Sequence, residues 1–272
     1  MLTILFWNLN GRHLHPLVAQ LAQKEAIDIL VLAECKVAYP DLLNALNAGN
    51  FRKYVMPFSP TRRLQILTSL PFKSLRPIHD AGSISVRRIV PPLGDELLLV
   101  AVHLPSKTFQ DSPEQTFGLV RLAGIIEEAE EKVQHNRTLV IGDLNLNPFE
   151  RGVVSADGLH GVMTRHIALG GSRVVDGVRR KFLYNPMWSR FGDNSIGPPG
   201  TYYYRGTTQT VYFWNIFDQV LLRPDLLPFF RDEDLKIITK IEDVSLLSSS
   251  GLPDKSAGSD HLPILIRLSL NR

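Results

Sequence analysis

The sequence predicts one domain in which β-strands and α-helices are interleaved, and two observations support this prediction. The spacing of apolar residues switches repeatedly along the chain between a period of two, typical of strands, and a period of about 3.6, typical of helices. The 272 residues contain no internal repeat and no low-complexity linker that would mark a domain boundary. We therefore expect residues 1–272 to form a single domain.

The N-terminal half begins with a predicted strand, helix and second strand. Leu2–Trp7 is an apolar run, and His15–Glu25 carries apolar residues at helical spacing. Ile29–Ala33 is continuously apolar, which is typical of a strand buried on both faces. The remaining predicted elements of this half are a short helix at Asp41–Leu46 and strands at Tyr54–Met56, Leu64–Thr68, Ser83–Val90 and Leu97–His103.

The C-terminal half opens with a long predicted helix, Pro113–Gln134, whose proline and following glutamate suit a first helical turn. Thr138–Ile141 is another buried strand, and Gly142 and Asp143 begin a sharp turn directly after it. Periodicity weakens from residue 147 to residue 200, where glycine, proline, arginine and aromatic residues accumulate. Further extended segments are predicted at Thr201–Tyr204, Phe217–Leu222, Lys236–Val244 and Leu262–Leu268.

Composition excludes several classes of protein. Hydrophobic residues make up 44% and charged residues 21% of the chain, which is ordinary globular usage and excludes disorder. Thirty basic and 27 acidic residues give a net charge of +3, which permits a polyanionic partner without requiring one. No apolar run approaches the roughly 18 residues that cross a bilayer, and the first residues do not resemble a signal peptide. With a single cysteine, Cys35, no internal disulfide can form, so we expect a soluble cytoplasmic protein without a membrane partner.

Acids, amides and imidazoles stand where several of the apolar strands begin or end. A carboxylate next to a buried strand is costly unless it is paired, hydrogen-bonded or bound to a metal. Each residue alone could have a plain structural role, with Asp143 as a turn former, Glu34 as a helix cap and His103 as a core histidine. Strand ends of one sheet can converge, however, and together these types suit Mg²⁺ binding, phosphate contact and proton transfer. The residues are Asn8, Asn10, Glu34, His103, Asp143, Asn145, Asp218, Asp260 and His261.

These residues lie in six short motifs that resemble, in order, those of the endonuclease/exonuclease/phosphatase superfamily. The motifs are Trp7-Asn-Leu-Asn-Gly11, Leu32-Ala-Glu34, His103-Leu-Pro, Gly142-Asp-Leu-Asn145, Phe217-Asp-Gln-Val-Leu221 and Ser259-Asp-His261. The resemblance implies the deoxyribonuclease-I-like fold of class α+β. This fold is a four-layer α/β/β/α sandwich, with two mixed β-sheets packed face to face and helices outside.

The resemblance also implies a metal site. Glu34 is the expected principal ligand of Mg²⁺, with Asn10 and Asp260 nearby in the metal shell, directly or through water. Mn²⁺ is expected to substitute for Mg²⁺.

The other motif residues are implied to act on a phosphate ester. Asp143 would orient or deprotonate the attacking water, and Asn145 would hold that water or a phosphate oxygen. His261 would contact the scissile phosphate, and Asp218 would fix its tautomer. His103 would meet another phosphate oxygen or assist the leaving group. Both His261 and Asp143 remain candidates for the base.

The function that we expect is hydrolysis of DNA or RNA phosphodiester bonds by a metal-dependent nuclease. The alternatives are a phosphatase or phosphodiesterase acting on a small molecule, such as an inositol phosphate, cyclic nucleotide or lipid head group, and a catalytically dead scaffold. His103 stands where apurinic-site repair members usually carry tyrosine, which disfavours the repair branch.

Residues 151–214 interleave basic and aromatic side chains, a combination that can bind a single strand by backbone contact and base stacking. We expect Arg179, Arg180, Tyr203 and Trp214 to bind the substrate. The alternative is an edge hairpin whose aromatic rings only pack against one another.

Overall fold

Two β-sheets lie face to face and helices cover their outer surfaces in the computed structural model, which describes residues 1–49, 51–57, 61, 63–106, 112–207 and 212–270. In chain order the strands are β1 Leu2–Asn8, β2 Ile29–Ala33, β3 Leu64–Thr68, β4 Leu75–Ala81, β5 Ile84–Ile89, β6 Leu97–His103, β7 Thr138–Asp143, β8 Gly161–Val162, β9 Ser172–Val175, β10 Val178–Lys181, β11 Leu183–Tyr184, β12 Tyr202–Tyr203, β13 Trp214–Asn215, β14 Asp218–Leu222, β15 Leu235–Ile237, β16 Lys240–Ile241, β17 Val244–Ser245 and β18 Ile264–Leu268. The α-helices are α1 His15–Lys24, α2 Tyr39–Asn47, α3 Ser112–Val133, α4 Arg151–Val154 and α5 Arg165–Ala168, and 3-10 turns lie at Phe72–Ser74, Pro186–Arg190, Pro224–Phe229 and Asp232–Asp234.

Both large sheets are mixed, as the resemblance implies. The five-stranded sheet has the order β15-β18-β1-β2-β3, with β1 and β2 parallel. The seven-stranded sheet has the order β4-β5-β6-β7-β14-β11-β8, and there β6 runs parallel to β7 and β8 runs parallel to β11. Three two-stranded ribbons, β9–β10, β12–β13 and β16–β17, lie outside these sheets.

Alternation along the strands divides the core into three clusters. In β1, Ile4 and Phe6 belong to the cluster between the two sheets, whereas Leu5 and Trp7 pack on the side that α1 and α2 cover. On the outer face of the seven-stranded sheet, β6 and β7 pack against α3. The expected four-layer α/β/β/α arrangement is therefore confirmed. None of the described helices is long and apolar enough to cross a membrane.

The strands predicted at Ile29–Ala33, Leu64–Thr68 and Leu97–His103 have those bounds in the structure. The strand expected at Tyr54–Met56 is reduced to one isolated bridge, between Val55 and Thr68. β4 was not expected because it is a sheet-edge strand whose residues after Leu75 are exposed or half-buried, so apolar alternation is weak. Residues 147–200 contain α4, α5 and strands β8 to β11, which are too short to produce a readable period.

Gly142 fills a position that no other residue can occupy without displacing the backbone. It lies in β7 opposite Val102 of β6, with φ +149°. A Cβ atom at Gly142 would stand 2.0 Å from the carbonyl oxygen of Val102. The glycine therefore allows β6 and β7 to run side by side up to Asp143.

We predict that Gly142→Ala lowers the free energy of unfolding by more than about 3 kcal/mol, since the clash is with backbone and exceeds ordinary overpacking. The matched control is Gly118→Ala in α3, where a Cβ would meet nothing within 4 Å. That variant should be neutral or stabilising by up to about 1 kcal/mol. Urea unfolding of both variants measures the difference, and equal midpoints would refute the predicted clash.

Candidate active site

The six motifs meet at one edge that the two sheets share. The C-terminal ends of the parallel pair β1 and β2 lie there in one sheet, and the ends of β6 and β7 lie there in the other. The antiparallel strands β14 and β18 begin at the same edge. Residues far apart in sequence thus come within hydrogen-bond distance.

Strand alternation points four polar side chains into the space between the sheets. Ile4 and Phe6 face this space in β1, and Asn8 follows with the same parity. The same rule, applied from core neighbours in β6, β7 and β14, selects three further residues. They are His103, Asp143 and Asp218.

Two buried carboxylates share one imidazole at the centre of the site. Asp143 and Asp218 face each other in the β7–β14 register and are 1% and 0% exposed. The Nδ1 atom of His261 lies 2.9 Å and 3.1 Å from the two Asp218 carboxylate oxygens, and 3.9 Å from Asp143 Oδ2. This contact is the one through which the resemblance implies that Asp218 fixes the tautomer of His261.

Electrostatics favour a protonated His261. Burial alone would lower the pKa of His261, but the carboxylates of Asp218, Asp143 and Asp260 outweigh it and raise the pKa to about 10. Burial raises the pKa of Asp143, against the opposing effect of the His261 charge. The imidazolium is thus the positive charge that compensates this carboxylate pair.

His261 reaches the second sheet from a segment anchored to β1. Trp7 Nε1 donates a hydrogen bond of 2.9 Å to the carbonyl oxygen of His261. The hydroxyl of Ser259 donates to the carbonyl oxygen of Asn8 at 2.7 Å. The ring of Tyr202 packs on the imidazole with centroids 4.7 Å apart, and burial raises the pKa of Tyr202 to about 12. His261 is therefore held on several sides.

Glu34 is linked to the same centre through Asn8. The Asn8 amide donates to Asp143 Oδ2 at 3.0 Å and to Glu34 Oε1 at 3.4 Å. His103 Nε2 lies 3.3 Å from Glu34 Oε1. The hydrogen bond from His103 lowers the pKa of Glu34, and that from Asn8 acts in the same direction against burial. Glu34 also has φ +48°, a left-handed conformation that costs a residue other than glycine about 1–3 kcal/mol.

Three residues of this edge carry oxygen atoms of the kind that a hard cation binds. The Glu34 side chain is 42% exposed at the open edge, and the backbone N–H of Asn10, whose side chain is exposed, donates to Asn8 Oδ1. Asp260 already forms an ion pair with a cation, because Lys255 Nζ lies 3.0 Å from its Oδ2. Carboxylate and amide oxygens are ligands that Mg²⁺ prefers, so Glu34, Asn10 and Asp260 could hold it.

A second group of potential ligand atoms lies in Asp143, Asp218 and His261, within 4.8 Å of one another. An imidazole is a less suitable ligand for Mg²⁺ than oxygen, and here its Nδ1 is already engaged with Asp218. The Glu34 side of the edge is therefore the better candidate for Mg²⁺.

Asn145 positions Asp143. Its backbone N–H donates to Asp143 Oδ1 at 2.8 Å, and its side-chain amide donates to the carbonyl oxygen of Leu104 at 2.8 Å. One hydrogen of the Asn145 side-chain amide is thus used in a hydrogen bond to the residue that follows β6.

Arg179 and Arg180 are not brought to the site. They lie in the β9–β10 ribbon, where Arg180 pairs with Asp157, and the next residue, Lys181, pairs with buried Glu130. Glu130 accepts a hydrogen bond from Thr138, at the start of β7 and roughly 17 Å from Asp143 at about 3.3 Å per residue. Because this is the opposite end of the sheet, the expected role of both arginines in substrate binding is not supported.

Tyr203 and Trp214 do lie beside the site. They face each other in the β12–β13 ribbon, with ring centroids 5.3 Å apart in an edge-on arrangement. Tyr202, next to Tyr203, contacts His261. Both rings are half-buried and pack on each other, and the neighbouring rings of Tyr204, Tyr212 and Phe213 are more exposed.

Sequence reasoning included Asn8 among the polar residues at strand ends but gave it no role, and it assigned none to Tyr202 or to a group of cations near Glu34. The parity of β1 could have identified Asn8, whereas nothing in the tyrosine run distinguishes Tyr202. The cations are called the basic rim: Arg12, whose Nη2 donates to Ser256; Lys36, which lies over Gly11; and Lys255. The N–H of Gly11 donates to the main-chain carbonyl of Glu34 at 2.9 Å, which places Gly11 and the Lys36 amine over it next to the Glu34 backbone.

Comparisons with known proteins identify the family and the fold. The profile of the Endonuclease/Exonuclease/Phosphatase family matches residues 5–261. The chain is similar to the endonuclease domain of TRAS1, a telomere-specific non-LTR retrotransposon, at 17% identity and TM-score 0.58 over 100% of both chains. It is also similar to the 3′ phosphatase NExo from Neisseria bound to product DNA hairpin, at 14% identity and TM-score 0.57 over 98% of this chain and 99% of that one. For an AP endonuclease from Archaeoglobus fulgidus the identity is 15%, with TM-score 0.57 and the same coverage. These structural likenesses show a shared fold. Comparison with curated sequences finds no match.

Proposed function

Because the chain belongs to the endonuclease/exonuclease/phosphatase family, we propose that it is a Mg²⁺-dependent nuclease that hydrolyses DNA or RNA phosphodiester bonds. The observation that carries the proposal is the position of His261 between Asp218 and Asp143, at the edge that also holds Glu34. Side chains from residue 8 to residue 261 take part, so we propose residues 1–272 as one catalytic domain.

In this proposal Glu34, Asn10 and Asp260 hold the metal. A bound Mg²⁺ would neutralise non-bridging phosphate oxygens and stabilise the leaving oxygen. Asn8 fixes the Glu34 carboxylate relative to Asp143, so the metal ligand and the proton acceptor are held in one frame.

The proton acceptor in this proposal is Asp143. A His261 that keeps its proton to about pH 10 is a poor base at neutral pH and a good donor to a phosphate oxygen. A carboxylate whose pKa is raised by burial is a stronger base than an ordinary one. Asp218 acts through His261, Asn145 orients Asp143, and His103 orients Glu34.

A polymeric substrate is supported by two observations. The basic rim places cations beside the proposed metal site, where they would meet phosphates flanking the scissile bond. The similar structures include an endonuclease domain and an enzyme bound to a DNA hairpin. A phosphatase or phosphodiesterase acting on a small phosphorylated molecule is the second candidate, since the family also includes phosphatases.

We predict that turnover requires a divalent cation and that Glu34→Gln lowers both turnover and Mg²⁺ affinity. Replacing a charged oxygen ligand by an amide removes the charge that the cation needs. Calorimetric titration with Mg²⁺ measures affinity, and cleavage of a labelled oligonucleotide measures turnover. The matched control is Glu131→Gln, an exposed carboxylate in α3, which should change neither. Full turnover in EDTA would contradict the proposal.

We predict that Asp143→Asn and His261→Ala each reduce turnover by at least about 10²-fold with the fold retained, because positioned acid–base groups contribute about 10² to 10⁴. Asp218→Asn should act through His261. The double variant Asp218→Asn, His261→Ala should therefore lose less than the product of the single losses. If the two single losses multiply in the double variant, Asp218 does not act through His261. Circular dichroism checks that each variant is folded.

We predict that Arg12→Ala combined with Lys36→Ala flattens the salt dependence of nuclease kcat/KM. Each phosphate contact contributes about 0.7 to the slope of log K against log salt for a single strand, so losing two lowers it by about 1.4. Arg179→Ala with Arg180→Ala removes the same charge from the distant ribbon and should leave the slope unchanged. A flat slope in the unmodified protein, with hydrolysis of small phosphate esters only, would favour the phosphatase alternative.

A further inference from the structure

The β12–β13 ribbon starts at the catalytic histidine and leads away from it. Tyr202 forms an isolated bridge with His261, and Thr201 accepts a hydrogen bond from Leu262 at 2.8 Å. Arg205 lies three residues after Tyr202 and beyond the end of β12, which at about 3.3 Å per residue allows up to roughly 10 Å between them. A nucleic-acid strand whose scissile phosphate lies at His261 would therefore pass the β12–β13 ribbon.

The chain that continues the ribbon beyond its strands, where the Tyr204 N–H donates to the Phe213 carbonyl at 2.7 Å, presents aromatic rings to solvent. Tyr204 is 43% exposed, Tyr212 is 50% exposed and Phe213 is 54% exposed. Phe213 also has φ +56°, a left-handed conformation that costs a bulky residue about 1–3 kcal/mol. An apolar ring is thus held outward by strained backbone next to a site for phosphate esters.

Packing beneath these rings makes the surface rigid. Tyr203 packs edge-on against Trp214 and lies nearly parallel to Phe213, with centroids 6.2 Å apart. Tyr212 packs edge-on against Phe149 at 5.5 Å. Phe149 in turn contacts Trp188 and Phe191, which ties the ribbon to the loop after β7 and the following 3-10 turn.

A cation accompanies the rings. The guanidinium carbon of Arg205 lies 5.7 Å from the centroid of the Tyr203 ring. Rings for stacking with an arginine beside them are the combination that binds single-stranded nucleic acid without sequence preference.

From this arrangement we infer that the ribbon stacks unpaired nucleobases next to the scissile phosphate, so that the substrate class is single-stranded nucleic acid or an unpaired end. Bases inside a duplex have both faces covered by neighbouring bases, so exposed rings reach them only when they are unstacked. The inference rests on the proposed nuclease function, because it assumes that the scissile bond belongs to a nucleic acid.

The test uses a 12-nucleotide DNA strand containing one 2-aminopurine, and its RNA counterpart, each offered alone and annealed in a blunt duplex. Binding is measured in Ca²⁺ by fluorescence quenching, which reports stacking on an aromatic ring. Cleavage of the same strands is measured in Mg²⁺. The variants are Phe213→Ala and Arg205→Ala, and the control is Phe72→Ala, an exposed ring at the opposite end of the first sheet.

The expected result is quenching with the single strand and little with the duplex. Phe213→Ala should weaken single-strand binding about fivefold or more, raise KM for its cleavage and leave duplex binding unchanged, whereas Phe72→Ala should change nothing. Arg205→Ala should weaken single-strand binding as well. Quenching with DNA, RNA or both identifies which strand the ribbon accepts.

Equal weakening of single-strand and duplex binding by Phe213→Ala, or cleavage without quenching, would overturn the inference and leave the nuclease proposal standing. Quenching that depends on Phe213 without cleavage of any strand would contradict the nuclease proposal and support the stacking surface. Absence of binding to every nucleic acid would overturn both and identify the ribbon as a surface for another kind of partner.

Discussion

The active-site edge depends on neutralising two buried carboxylates. Asp143 and Asp218 lie opposite each other on paired strands, and neither has appreciable contact with solvent. A carboxylate oxygen of one lies within 4.8 Å of a carboxylate oxygen of the other in a water-poor site, so their like charges disfavour ionisation of both unless a positive charge compensates them. His261 supplies that charge. Its imidazole contacts Asp218 directly and approaches Asp143, so a single cation serves both.

Because the compensating charge and the two carboxylates come from different sheets, the two sheets must be aligned so that these residues meet at one edge. The carboxylates belong to the seven-stranded sheet, whereas His261 precedes β18 of the five-stranded sheet. Its position depends on Trp7 and Ser259, which tie the segment to β1, and on a core between the sheets that sets their separation. Gly142 lets β7 reach the edge beside β6. Packing far from the chemistry therefore determines the distances within it.

Much of the site could be predicted from the sequence because strand alternation is local. Residues two positions apart in a strand face the same side. A polar residue two positions from an apolar core residue, such as His103 after Ala101, therefore points between the sheets, and the same rule identifies Asn8. The rule fails where strands are two to four residues long. Arg179 belongs to the same basic and aromatic segment, residues 151–214, as Tyr203 and Trp214. The β9–β10 ribbon that carries it nevertheless packs at the start of β7, away from the site. Which end of a sheet a loop reaches depends on pairing, and composition does not encode it.

The charge state of His261 is the most direct test of this account. In ¹⁵N-labelled protein with EDTA, the account predicts that both imidazole nitrogens remain protonated at pH 8.5, far above the ordinary midpoint of about 6.5. Asp218→Asn should move the midpoint down by about one to three pH units, because an adjacent negative charge is lost. Asp225→Asn, beyond the other end of the same strand, should leave it in place. A midpoint near 6.5 in the unmodified protein, or one that Asp218→Asn does not change, would contradict the account.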